Sequence, residues 1–152
     1  MTNHGSLKNY ALLVSIIVSF LVTYVSSAIN IALPDIAQTF SLNAIFLSWI
    51  PTSYLLFSAI FLIPFGKIAD IYGKKRIITY GIIIFTLASF ISAISNSGTM
   101  LLISRIFQAL GSAMIYGNVY SLIASVYPRE EEGKPLSITV AADMLDFLQD
   151  QF

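Results

Sequence analysis

Apolar residues run along this chain in blocks far longer than an element of a soluble core requires. Four windows free of Asp, Glu, Lys and Arg cover 9–34, 36–66, 77–104 and 106–128, and Arg105 alone separates the last two. A hydrocarbon core about 30 Å thick is crossed by about 20 helical residues rising about 1.5 Å each. Each window therefore predicts one membrane-crossing helix, placed at 10–33, 45–65, 77–95 and 100–127. The pattern gives an all-α membrane protein with four transmembrane helices within 10–128. A short polar amino-terminal segment, 1–9, precedes them, and a charged connector and acidic tail, 129–152, follows.

The first window has a rival reading as a signal peptide, because Lys8 precedes an apolar run and Ser26, Ser27 and Ala28 are small. A signal-peptide core is about 7 to 15 residues long. Here the apolar run continues to Pro34 and three more spans follow, which favours a retained helix. After the fourth helix a further apolar run begins at Leu136, but Asp143, Asp146 and Asp150 interrupt it. An aspartate near a helix centre costs about 2.5 to 3.5 kcal/mol on insertion scales. The tail is expected to be solvated or interfacial, and the chain to stop short of a fifth span.

Composition agrees with a lipid environment: 57% of the 152 residues are hydrophobic and 11% charged, where soluble domains carry about 25% charged residues. Zero net charge gives no basic surface for nucleic acid. The absence of cysteine, with His4 as the single histidine, leaves no thiolate site or zinc cluster. No cofactor and no enzymatic chemistry are expected, since no Ser-His-Asp set or phosphate loop occurs. The cations carry topological information instead. Lys8, Lys67, Lys74, Lys75, Arg76, Arg129 and Lys134 fall on one side of the predicted bilayer and the two opposite loops carry none. Because basic flanks are retained inside the cell, the amino terminus and the 67–76 loop are expected in the cytoplasm and the 34–44 connection outside.

Small and polar residues mark the helix faces that avoid lipid. In the fourth helix Ala109, Ala113, Gly117, Ser121 and Ser125 recur every four residues and stack on one face. In the first, Ser15, Ser19, Thr23, Ser26 or Ser27, and Asn30 form a polar row expected to face other helices or a watery cavity. Tyr54, Tyr116, Asn118 and Tyr120 are candidates to line such a cavity, with packing or interfacial anchoring as the alternative for the tyrosines. Pro51 and Pro64 are expected to limit or bend the second helix. Between the second and third helices, Gly66 and Gly73 would permit a tight reversal, and Asp70 lies four residues before Lys74, within pairing reach.

Three stretches resemble a known family. The loop Gly66-x-Ile68-Ala69-Asp70-x-x-Gly73-Lys74-Lys75, followed by Arg76, is similar to the signature between helices two and three of the major facilitator superfamily. Arg105-x-x-Gln108-Ala109-x-Gly111-x-Ala113 resembles that family's fourth-helix motif, with alanine where its first glycine is usual. Asn30-Ile31-Ala32-Leu33-Pro34 resembles the first-helix ending of the fourteen-helix drug:proton antiporters. That branch usually carries an aspartate where this chain has Val25, which puts in question any coupling through a first-helix carboxylate.

The resemblance implies a partial amino-terminal bundle of the major facilitator type. It implies proton-coupled efflux of small amphiphilic compounds or drugs by alternating access, in the plasma membrane, with lipid, substrate and protons as partners. It assigns Gly66, Asp70, Gly73, Lys74, Lys75 and Arg76 to a gating loop, and Arg105, Gln108 and Asn30 to proton coupling or the cavity. On physical grounds alone Arg105 lies about 9 Å into its helix and could instead snorkel to the outer interface. Since the family binds substrate between two six-helix halves, the chain is expected to be truncated and to lack the remainder of the transporter. The alternatives are a self-standing four-helix subunit that dimerises through the fourth-helix stripe, or a non-functional product.

Overall fold

The computed structural model describes residues 3–126 with positions 137 and 141, and the side-chain surroundings of 13–119, 137 and 141. The side chains of Lys8, Tyr120, Ser121 and Ser125, and the connector and tail apart from those two positions, lie outside the described residues. Four helices follow one another: α1 Asn3–Thr39, α2 Ala44–Tyr72, α3 Lys74–Ala93 and α4 Gly98–Val126. All four contain stretches long and apolar enough to cross a membrane. Large apolar side chains such as Leu13, Ile17, Leu55, Ile63, Leu87 and Phe90 remain exposed on the bundle surface, the arrangement a hydrocarbon solvent favours.

The helices run further than the apolar windows do. α1 continues through Pro34 to Thr39, so the expected exit at that proline is corrected. Proline removes one backbone hydrogen bond, and a long membrane helix tolerates the loss. The turn forms later, where Ser41 takes φ 50° and the Leu42 amide bonds back to Ala37. Asn43 then caps α2, its side chain accepting from the Phe46 amide at 2.7 Å. Pro51 and Pro64 lie inside α2 and do not end it.

The expected 67–76 loop is also corrected, because α2 stays helical to Tyr72 and α3 starts at Lys74. Charges end an apolar window without ending a helix. Ala69, on this charged last turn, is buried with Ile77 and Met114. The reversal rests on one residue, Gly73, at φ 98° and ψ 126°. Gly66 belongs to α2 and a Cβ there would meet nothing within 4 Å. Substituting Gly73 by valine is therefore expected to cost about 1 to 3 kcal/mol through forced left-handed backbone, whereas Gly66→Ala should be neutral or slightly stabilising. SDS-titration unfolding of the two variants checks this, and equal midpoints would remove Gly73 from its hinge role.

The fourth helix is the centre of the bundle. About 61% of its membrane window is buried, against 11 to 28% for the other three. It packs most extensively on α3, then on α2, and less on α1. The α3–α4 crossing brings backbone against backbone, since a Cβ on Gly111 would lie 2.7 Å from the Phe85 amide nitrogen and 2.8 Å from the Gly81 carbonyl oxygen. The α2–α4 crossing uses Gly117, where a Cβ would sit 3.2 Å from the Leu62 carbonyl oxygen. Val22, Ile78, Phe85, Ile115 and Val119 fill the core between α1, α3 and α4. With no hydrophobic drive between helices in lipid, such close approach is what supplies the attraction.

Candidate functional site in the interior of the bundle

The small-residue stripe of α4 sits at the helix contacts: Ala109 and Ala113 are fully buried, and Gly117 meets α2 as described above. Its spacing also turns the polar members of α4 inward. Ser104, Arg105, Gln108, Ser112 and Asn118 are all buried. Arg105 is only 2% exposed, so it does not snorkel to an interface.

Its guanidinium is held from two directions. The Tyr54 ring of α2 lies under it, 4.5 Å from the guanidinium carbon to the ring centroid, a contact that gains strength where water is excluded. Nη1 donates to Gln108 Oε1 at 2.7 Å. Because that amide oxygen is occupied by a cation, the amide nitrogen must donate elsewhere, and it donates to Ser89 Oγ of α3 at 3.0 Å. The Ser89 hydroxyl in turn donates to the Phe85 carbonyl at 2.8 Å. One polarised chain thus runs from α4 into α3. Arg105 Nε is the exception, buried without a partner.

Arg105 and Gln108 also line an open-sided cavity of about 380 Å³ between α1, α3 and α4. One wall comes from α1 and is mostly apolar, with Val25, Ala28, Ile29, Ala32 and Ile36 at helical spacing beside Tyr24. The opposite wall carries the polar groups, with Ser89 and Ser92 of α3 beside Arg105 and Gln108. The polar row of α1 contributes elsewhere. Ser15 and Ser19 are buried, and Thr23 Oγ1 lies 2.7 Å from the Tyr116 hydroxyl of α4. The row divides beyond this point: Ser26 bonds to the Val22 carbonyl at 2.8 Å, and Asn30 is exposed and not among the residues lining the cavity. Asn118, another cavity candidate, instead bonds to the Met114 carbonyl of its own helix at 2.8 Å.

The charged turn forms a second group at the α2–α3 end. Lys74 Nζ approaches Asp70 Oδ1 at 4.0 Å across Gly73. Lys67, Lys75 and Arg76 are exposed around this pair. Lys74, Lys75 and Arg76 occupy the first turn of α3, where the helix dipole disfavours cations by a few tenths of a kcal/mol each. The neighbouring Asp70 carboxylate offsets part of that.

The fourth-helix and charged-turn motifs thus occupy two separated places, one deep in the bundle and one at its end. The Major Facilitator Superfamily profile matches residues 15–147. The chain belongs to the major facilitator superfamily. It is 37% identical over 122 residues to "Riboflavin transporter RibZ" of Clostridioides difficile (strain 630), covering 80% of this chain and 27% of that protein. It is 33% identical over 104 residues to "Multidrug resistance protein Stp" of Mycobacterium tuberculosis (strain CDC 1551 / Oshkosh), covering 68% and 19%. The "Methylenomycin A resistance protein" of Bacillus subtilis (strain 168) is 30% identical over 134 residues, covering 84% and 29%. The chain thus spans less than a third of the length of these relatives. Members of this superfamily are multi-pass membrane transporters rather than enzymes.

Two participants were not legible beforehand. Ser89 and Gly81 carry no motif, and only the facing of α3 against α4 reveals the amide relay and the close crossing. A glycine in each of two successive spans was the one available signal for the crossing.

Proposed function

We propose that this chain supplies the first four helices of a proton-coupled exporter of small amphiphilic compounds, working by alternating access in the plasma membrane. The observation that carries the reading is the cavity whose apolar α1 wall faces the Arg105–Gln108–Ser89 relay. An apolar body fits one wall and a polar group fits the other. Relatives named for multidrug and methylenomycin A resistance support export of such compounds. In this reading the Asp70–Lys74 pair at the Gly73 hinge latches the cytoplasmic end and is released when the bundle changes state, and the amino terminus is cytoplasmic.

The test is efflux of a lipophilic fluorescent dye from proteoliposomes carrying a pH gradient, with and without a protonophore. Export that follows the gradient and falls on Asp70→Asn supports the reading. Gradient-independent dye movement, or none at normal protein density, refutes it. Since the chain lacks cysteine, a single cysteine at position 75 should react only with reagents that reach the cytoplasmic face. Labelling from outside would reverse the orientation.

A further inference from the structure

We propose that the cavity between α1, α3 and α4 binds a small organic carboxylate, its anionic head on the Arg105 guanidinium and its apolar body against α1. The first observation is a missing counter-charge. A guanidinium buried in a bundle normally pairs with an acid, because desolvation without a partner is costly. Among the described residues no carboxylate lines this cavity. Asp35 is exposed near the end of α1, and Asp70 pairs with Lys74 on the charged turn. Val25 of α1, an apolar side chain, lines the same cavity.

The second observation is unspent donor capacity. The Tyr54 ring covers one face of the Arg105 guanidinium and Gln108 accepts from one terminal nitrogen, but Nε is buried without an acceptor. A carboxylate accepts from adjacent guanidinium nitrogens in a fork, which a neutral amide oxygen or a cation does not reproduce. The third is shape. A cavity of about 380 Å³ has Arg105, Gln108, Ser89 and Ser92 from α4 and α3 and, from α1, an aliphatic series beside Tyr24, so a single charged head on an apolar body matches it, whereas a polyanion or a sugar would leave polar groups against Ala28 and Ala32. The proposal rests on the transporter reading only in treating the ligand as cargo, because binding is measured without transport.

The full chain in lipid nanodiscs is titrated with 1-naphthaleneacetate, its neutral amide 1-naphthaleneacetamide, and the cation 1-naphthylmethylammonium. The carboxylate should bind about tenfold more tightly than the amide, the scale of a charge-assisted fork, with the ammonium weakest. Arg105→Gln should bring carboxylate and amide to equal affinity. Ala32→Phe, which fills the apolar wall and leaves Arg105 intact, should weaken both. If Arg105→Gln does not fold, the three wild-type affinities and Ala32→Phe decide. Equal affinities in the wild type, a preference that survives Arg105→Gln, binding unaffected by Ala32→Phe, or no binding of any probe would each overturn the proposal. A carboxylate preference without gradient-driven efflux would uphold the site and refute the export reading, and efflux without the preference would do the reverse.

Discussion

Replacing Gly111 with alanine is expected to force α3 and α4 apart and to lower the stability of the bundle by about 1 to 3 kcal/mol. The added methyl would lie 2.7 Å from the Phe85 amide nitrogen, 2.8 Å from the Gly81 carbonyl oxygen and 2.9 Å from Phe85 Cβ. The first two are backbone atoms of a packed helix, so no rotamer change relieves the contact. The helices must separate, and the dispersion contacts around Phe85, Ile115 and Val119 loosen with them. Gly81→Ala meets the same crossing from the other side, 2.8 Å from Met114 Cβ and 2.9 Å from the Gly111 carbonyl oxygen. Its cost should be similar, and the two together should cost less than their sum, because one separation relieves both. SDS-titration unfolding of the single and double variants measures this. Wild-type midpoints for both singles would mean that α3 and α4 do not cross at these glycines.

The second large effect separates stability from activity. Arg105→Leu is expected to reduce transport by about 10²-fold, the scale of a lost positioning group, while unfolding free energy changes by less than about 1 to 2 kcal/mol. Removing a buried charge relieves desolvation, and the loss of the donor to Gln108 Oε1 offsets that gain. Tyr54→Leu acts in the opposite sense. It leaves the guanidinium buried without the ring beneath it and should destabilise by about 2 kcal/mol, the value of a desolvated cation–π contact. The pair is informative together. If Arg105→Leu proved the more damaging to stability, the arginine would be a structural tie between helices and the functional reading of the cavity would fail.

Much of this architecture was legible in residue order because the bilayer is a demanding solvent. A span must be about 20 apolar residues long and must satisfy its own backbone, so four uncharged windows gave four helices of the right type and sequence. Ala109, Ala113 and Gly117, the described members of the α4 series, lie at helix contacts, since only small side chains let backbones approach in lipid. Helix ends were less legible. Pro34 and the charges after Gly66 resemble terminators, yet charge density marks where lipid ends, and a helix ends only where backbone hydrogen bonding gives out. Here that point is Gly73, the one glycine among the described residues with positive φ.

The candidate site divides along the same line. That Arg105 and Gln108 belong together follows from their spacing of three on one helix, a local relation. That Tyr54 lies beneath the arginine, that Ser89 completes the amide relay, and that Asn30 turns away from the cavity depend on how whole helices rotate and cross. Membership of the major facilitator superfamily and the number and order of the spans were therefore determined by the sequence itself, because span length, motif spacing and hydropathy are local quantities. The partners of Arg105, the α3–α4 approach at Gly81 and Gly111, and the placement of Val25 on the cavity wall were decided only by the tertiary structure. Contacts between residues tens of positions apart are set by helix rotation and crossing, which no local pattern encodes.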